Sequence, residues 1–259
     1  MSEYIFRFNS ALVFISTFLT VGVVIRLLQG RLWSRYWYFF CFLVFALVRL
    51  LVVNIVPLSR KSYSVFFITT EAINLVLYVL ITLEIYSLLF ERYPGIQSVS
   101  RWVTLAALGT SLLVATASLK PDAASKSQNL ALDYVLIADR GVLSGMAVLI
   151  LLMSLFLAWY PVSLPRNVVT HSILFGVYFL AKASVVLVRN LSSTYVSKSY
   201  NIAISVVGSI CLFLWLLRLR PSGEAVLQVI GHQWNRADEE KLIRQLEQVN
   251  KALTRSARE

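Results

Sequence analysis

The chain has 259 residues, of which 58% are hydrophobic and only 14% charged, and its mean hydropathy is +0.72. A soluble domain carries roughly a quarter charged residues, so this composition excludes an ordinary globular domain and points to an integral membrane protein. The formal net charge of +11 would raise nucleic acid as a partner in a soluble chain. Here the bases sit mostly at the ends of apolar runs, where they orient a chain against anionic lipid, and no nucleic-acid partner is expected.

A hydrocarbon layer of ~30 Å needs about 20 helical residues per crossing. Seven runs qualify, at 11–28, 36–57, 64–90, 102–119, 130–159, 167–188 and 200–217. Proline, glycine, serine and charge mark the joints between them. These short connections predict an all-α, seven-transmembrane-helix bundle over residues 1–220, followed by a cytoplasmic segment over 221–259. The first run has no small-x-small cleavage site after it and is read as a retained helix. Its basic flank, Arg26, Arg31 and Arg35, argues for an external N-terminus and a cytoplasmic C-terminus in a plasma membrane such as the bacterial inner membrane. The later loops support that orientation only weakly, because their basic residues fall on both sides.

Beyond Arg220-Pro221 the residues Val226, Leu227, Val229, Ile230 and Trp234 predict an amphipathic turn or two at the membrane surface. A soluble helix is expected from Asn235 onward, with Glu240–Arg244 and Glu247–Lys251 as favourable pairs four apart. Its apolar stripe, Leu242, Leu246, Val249 and Leu253, alternates steps of four and three. That is heptad spacing, shorter than a full coiled coil. It is expected either to contact another protein or a second copy, or simply to dock or fray.

The second and sixth runs match in part. Phe45-Ala46-Leu47-Val48-Arg49 lies against Tyr178-Phe179-Leu180-Ala181-Lys182, and Lys61-Ser62-Tyr63 precedes the third run as Lys198-Ser199-Tyr200 precedes the seventh. A duplication would give a 3+1+3 parallel repeat, an arrangement used by transporters. Apolar runs also align by chance, and Glu71 falls opposite Gly208.

An unpaired charge at the bilayer centre costs at least ~2.5–3.5 kcal/mol on insertion scales, so each intramembrane charge needs a partner, water or a task. Counted from the outer ends of their runs, Arg49, Glu71, Asp139, Arg140 and Lys182 all fall roughly 9–14 Å below the surface. The expected pairs are Arg49 with Glu71, and Asp139 or Asp133 with Lys182 or Arg140. This layer is either structural ion pairing, aided by close packing at Gly141 and Gly145, or a polar cavity for an anionic or zwitterionic ligand. A second, inner level holds Glu84 and His171. A carboxylate beside an imidazole could relay protons, and interfacial anchoring or helix capping is the alternative use.

Catalytic signatures are missing: there is no HExxH, GxSxG, Walker loop or GxGxxG, and no enzymatic role is expected. Cys41 and Cys211 lie singly in apolar runs and imply neither a disulfide nor a metal site. The seventh run lacks a mid-helix lysine, the position where microbial rhodopsins hold retinal, so no cofactor is expected. Three classes remain: a non-enzymatic sensor or adaptor signalling through its C-terminal helix, a small-molecule or proton-coupled transporter of 3+1+3 architecture, and a structural subunit of a larger membrane complex.

Overall fold

Proline, glycine and capping chemistry cut the apolar sequence into rods. The computed structural model describes residues 2–56, 59–91, 93, 102, 105–107, 109–111, 130–159, 162–191, 197–230 and 236–256. Helix α1 (Ser2–Gln29) stops at Gly30, after which Arg31 takes a left-handed φ of 52°. A 3-10 turn over Leu32–Ser34 leads to α2 (Trp37–Ile55). That helix ends as Val56 turns extended (φ −92°, ψ 120°), the conformation imposed on a residue preceding proline, here Pro57. Helix α3 (Arg60–Leu89) begins on Ser59, whose hydroxyl accepts the Ser62 N–H at 3.2 Å. Helices α4 (Leu130–Trp159), α5 (Arg166–Leu191) and α6 (Ser197–Arg218) follow.

These six helices form a closed ring in chain order. Each packs on the next, α6 returns to α1, and α3 also reaches across to α5. The shared interior is apolar and aromatic, with Phe39, Leu43, Ile81, Leu143, Met146, Phe175 and Phe179 almost fully buried. Among the described residues four helices are long and apolar enough to cross a membrane: Ala11–Gln29, Trp37–Ile55, Ser62–Leu89 and Arg166–Val185. Gly141–Leu157 and Ile202–Arg218 are shorter apolar helices. The chain is thus helical with several membrane-length spans, as its composition implies. The fourth run, 102–119, lies largely outside the described residues. Within it 102, 105–107 and 109–111 are helical, and Ser111 donates to the Gly141 carbonyl at 2.7 Å. Gly141 and Gly145 are both buried.

One expectation needs correction. The segment around Val226–Ile230 is not an amphipathic helical turn: after a short helix α7 (Ser222–Ala225) it becomes a strand, β2 (Leu227–Ile230). It pairs antiparallel with β1 (Val162–Pro165), Val162 opposite Ile230 and Pro165 opposite Leu227. Valine and isoleucine are stiff at χ1 and favour a pleated partner over a surface helix. The turn between α4 and α5 supplies that partner, burying Val162 and Leu164. Pro165 has no N–H and ends the ladder, and the Arg166 N–H then bonds the Val226 carbonyl at 2.9 Å. Trp234 lies outside the described residues.

A polar clamp holds this end of the bundle together. Glu224 of α7 accepts from the Tyr36 hydroxyl and from the Asn167 side-chain amide, both at 2.7 Å, and pairs with Arg35 at 3.1 Å. Arg35 also reaches Glu91 just beyond α3 at 2.6 Å. Asn167 donates further to the Arg220 carbonyl at 2.7 Å, and Arg26 of α1 donates to the Leu219 carbonyl at 2.6 Å. The C-terminal segment is therefore fastened to α1, to the α1–α2 turn and to α5. Past it, α8 (Arg236–Ser256) carries the Glu240–Arg244 pair at 3.2 Å. Both partners are exposed, so the pair contributes only a few tenths of a kcal/mol.

Gly223 sits where a Cβ would strike Asn167 Oδ1. Gly223→Ala should push Asn167 off its two acceptors and destabilise the protein by about 1–3 kcal/mol, read as a lower melting temperature in mild detergent. An unchanged melt would show that the clamp does not hold the bundle.

Candidate functional site

The charged layer is assembled from four helices. Glu71 of α3 lies between two bases, Arg49 of α2 at 3.0 Å and Lys182 of α5 at 3.8 Å. Lys182 also faces Asp139 of α4 at 3.6 Å. Its ammonium donates to the Tyr78 hydroxyl at 3.2 Å and stands 4.4 Å from the centre of that ring. Tyr78 and Tyr178 share a hydrogen bond at 3.3 Å. Arg49 lies over Phe67 at 5.5 Å. Among the described side chains the layer thus sets two acids against two bases.

Burial separates the members. The Lys182, Glu71 and Asp139 side chains are 14%, 14% and 10% exposed, whereas Arg49 is 26% exposed. Lys182 is the hinge of the network, because it touches both acids and a tyrosine. The structure brings Arg49, Glu71, Asp139 and Lys182 together. The side chains of Arg140 and Asp133 lie outside the described ones. Asn54 bonds back to the Leu50 carbonyl of its own helix at 2.8 Å and is exposed.

At the inner level the two residues do different things. Glu84 is spent on the start of α2: its two oxygens accept the Tyr38 N–H at 2.9 Å and the Phe39 N–H at 3.1 Å. Helix α2 has no side-chain cap of its own. A carboxylate from a neighbouring helix satisfies two orphan amides and suits the positive end of the helix dipole. His171 is enclosed by rings, with Tyr36 at 4.9 Å, Phe39 at 4.8 Å, Phe175 at 4.9 Å and Trp215 at 6.0 Å between centroids. Neither ring nitrogen has a hydrogen-bond partner among the described residues. No hydrogen bond links Glu84 to His171, and Glu84 is used in the alternative way, as a cap on α2.

On α8, Leu246 is buried, Leu242 is half-buried and Val249 is 51% exposed, while the Leu253 side chain lies outside the described ones. Among the described residues no three His, Cys, Asp or Glu side chains gather as metal ligands. The clamp residues Tyr36, Asn167 and Glu224 have no part in the sequence-based expectations. Glu224, a lone acid after the Pro221 break, and Asn167, in the first turn of its helix, are the signals that mark them. No protein-family model, curated protein or solved structure matches the chain.

Two contrasts test this geometry. Lys182→Met leaves two buried acids facing one base and should cost about 3–5 kcal/mol. Adding Asp139→Asn restores neutrality and should recover a large part of the melting temperature, whereas purely additive losses would mean the groups are not coupled. Glu84→Ala, which strips two amides of their acceptor, should destabilise by about 1–3 kcal/mol. His171→Phe removes only unpartnered nitrogens and should melt at the wild-type temperature or above it. A His171→Phe loss as large as that of Glu84→Ala would reinstate a polar role for the imidazole.

Proposed function

We propose that this protein is a non-enzymatic, multi-pass membrane sensor or adaptor. Its buried charged layer lies in the outer half of the bundle, and its C-terminal helix engages a partner protein or a second copy on the cytoplasmic side. The observation that carries this reading is the path along α5. The helix holds Lys182 in the charged layer and Asn167 in the clamp that fastens the C-terminal segment. Fifteen residues separate them, about 22 Å of helix. Any ligand or protonation event that alters the Lys182 contacts biases the position of α5, and so the root of α8.

A second reading, a transporter with a 3+1+3 repeat, is favoured by one feature. Arg49 and Lys182, at matching places in the aligned second and sixth runs, both reach the same acid, Glu71.

The tail supplies the test. Val249→Lys places a charge on the exposed part of the α8 stripe without touching the bundle. It should lower the mass of the complex measured by light scattering in mild detergent, or strip away a co-purifying protein, while the melt of the bundle stays unchanged. The same mass and the same companions in wild type and variant would sink the proposal.

A further inference from the structure

A cleft of about 320 Å³ opens at the clamp end of the bundle, between the start of α5, the end of α6 and the turn into α7. Three guanidinium-bearing residues line it, Arg166, Arg218 and Arg220, together with Leu217, Ser222, Gly223 and Val226. Among the described residues no acidic side chain is in that lining. The nearest acid in sequence, Glu224, is occupied by Tyr36, Asn167 and Arg35. Among the described residues, none of the three guanidinium groups has an ion-pair partner; the clamp uses only the backbone of Arg220. Three like charges around one cleft repel each other unless an anion joins them, and the planar guanidinium fork matches the oxygens of a phosphate.

The position of the cleft indicates the source of that phosphate. The apolar spans end here: one begins at Arg166 and the apolar helix Ile202–Arg218 finishes here. This is the depth at which phospholipid phosphates lie. Leu217 and Val226 are about half exposed at 47% and 48%, so an acyl chain has an apolar wall to follow from the same cleft. A free phosphate would have no use for that wall.

We infer that the Arg166–Arg218–Arg220 cleft binds the phosphate of an anionic phospholipid on the clamp side of the membrane. Full-length protein in neutral detergent would be given phosphatidylglycerol, phosphatidylcholine or inorganic phosphate, with retained lipid counted by native mass spectrometry and stabilisation by thermal melting. Wild type should retain phosphatidylglycerol about 10- to 30-fold more strongly than phosphatidylcholine, and Arg218→Gln with Arg220→Gln should remove that preference. Arg218→Lys with Arg220→Lys, which keeps the charge, should retain part of it. Lys241→Gln with Lys251→Gln removes the same charge from exposed α8 and should leave it intact. Equal retention of the two lipids by wild type, or an equal loss in the α8 control, would overturn the inference. Stabilisation by inorganic phosphate matching that by phosphatidylglycerol would overturn the lipid assignment.

Discussion

A charge inside hydrocarbon must be answered by another charge, and the arrangement of this bundle follows from that requirement. Lys182 is the clearest case, because it meets Glu71, Asp139 and Tyr78 at once. Satisfying those contacts requires α3, α4 and α5 to converge at one depth, and Arg49 adds α2. Apolar packing alone would let these helices slide or rotate past one another, since one leucine surface resembles the next and lipid competes equally well for each. Four ionised groups at fixed heights remove that freedom. Their contribution lies as much in selecting one register as in net stability, because much of the Coulomb gain only offsets desolvation.

The two ends of the bundle use polarity differently. In the charged layer, side chains neutralise one another. At the clamp, side chains also serve backbone: Asn167 and Arg26 take up the Arg220 and Leu219 carbonyls just past α6, and at the inner level Glu84 takes up amides freed where α2 begins. Helix ends leave such groups without intrahelical partners, and next to a membrane water is an unreliable substitute. Between the levels lies a block of rings, Phe39, His171 and Phe175 packed edge to face and Trp215 tilted against them. That block separates the charged layer from the clamp and gives α5 a stiff middle.

Depth in the membrane is readable from sequence because helical rise is constant, so counting from run ends locates Arg49, Glu71, Asp139 and Lys182 at one height. Rotation is not: whether Glu84 faces His171 or the amides of α2 depends on how α3 is turned, and backbone amides leave no mark in the sequence. Arginines read as topology signals are a related case. Arg26 and Arg35 flank the first span as an orientation rule requires, yet in the fold each also binds a specific partner, the Leu219 carbonyl and the two acids Glu91 and Glu224. The β1–β2 ribbon was illegible for a different reason. Each strand is only four residues long, and its partner is more than sixty residues away in sequence, so neither carries a local periodic signal.

That ribbon also decides how load from the C-terminal helix would enter the helical bundle. The chain leaves β2 at Ile230, opposite Val162, where β1 emerges from the end of α4. A pull on the tail directed away from β1 would load the open end of the ladder, across its hydrogen bonds rather than along the strands. Loaded that way, an antiparallel pair unzips one bond at a time, beginning at Val162–Ile230 and finishing at Pro165–Leu227. The force needed is that of breaking single bonds in turn, not of shearing all of them together. Behind the last pair stands Glu224 with its three partners, so the ribbon behaves as a yielding element in series with a firm anchor.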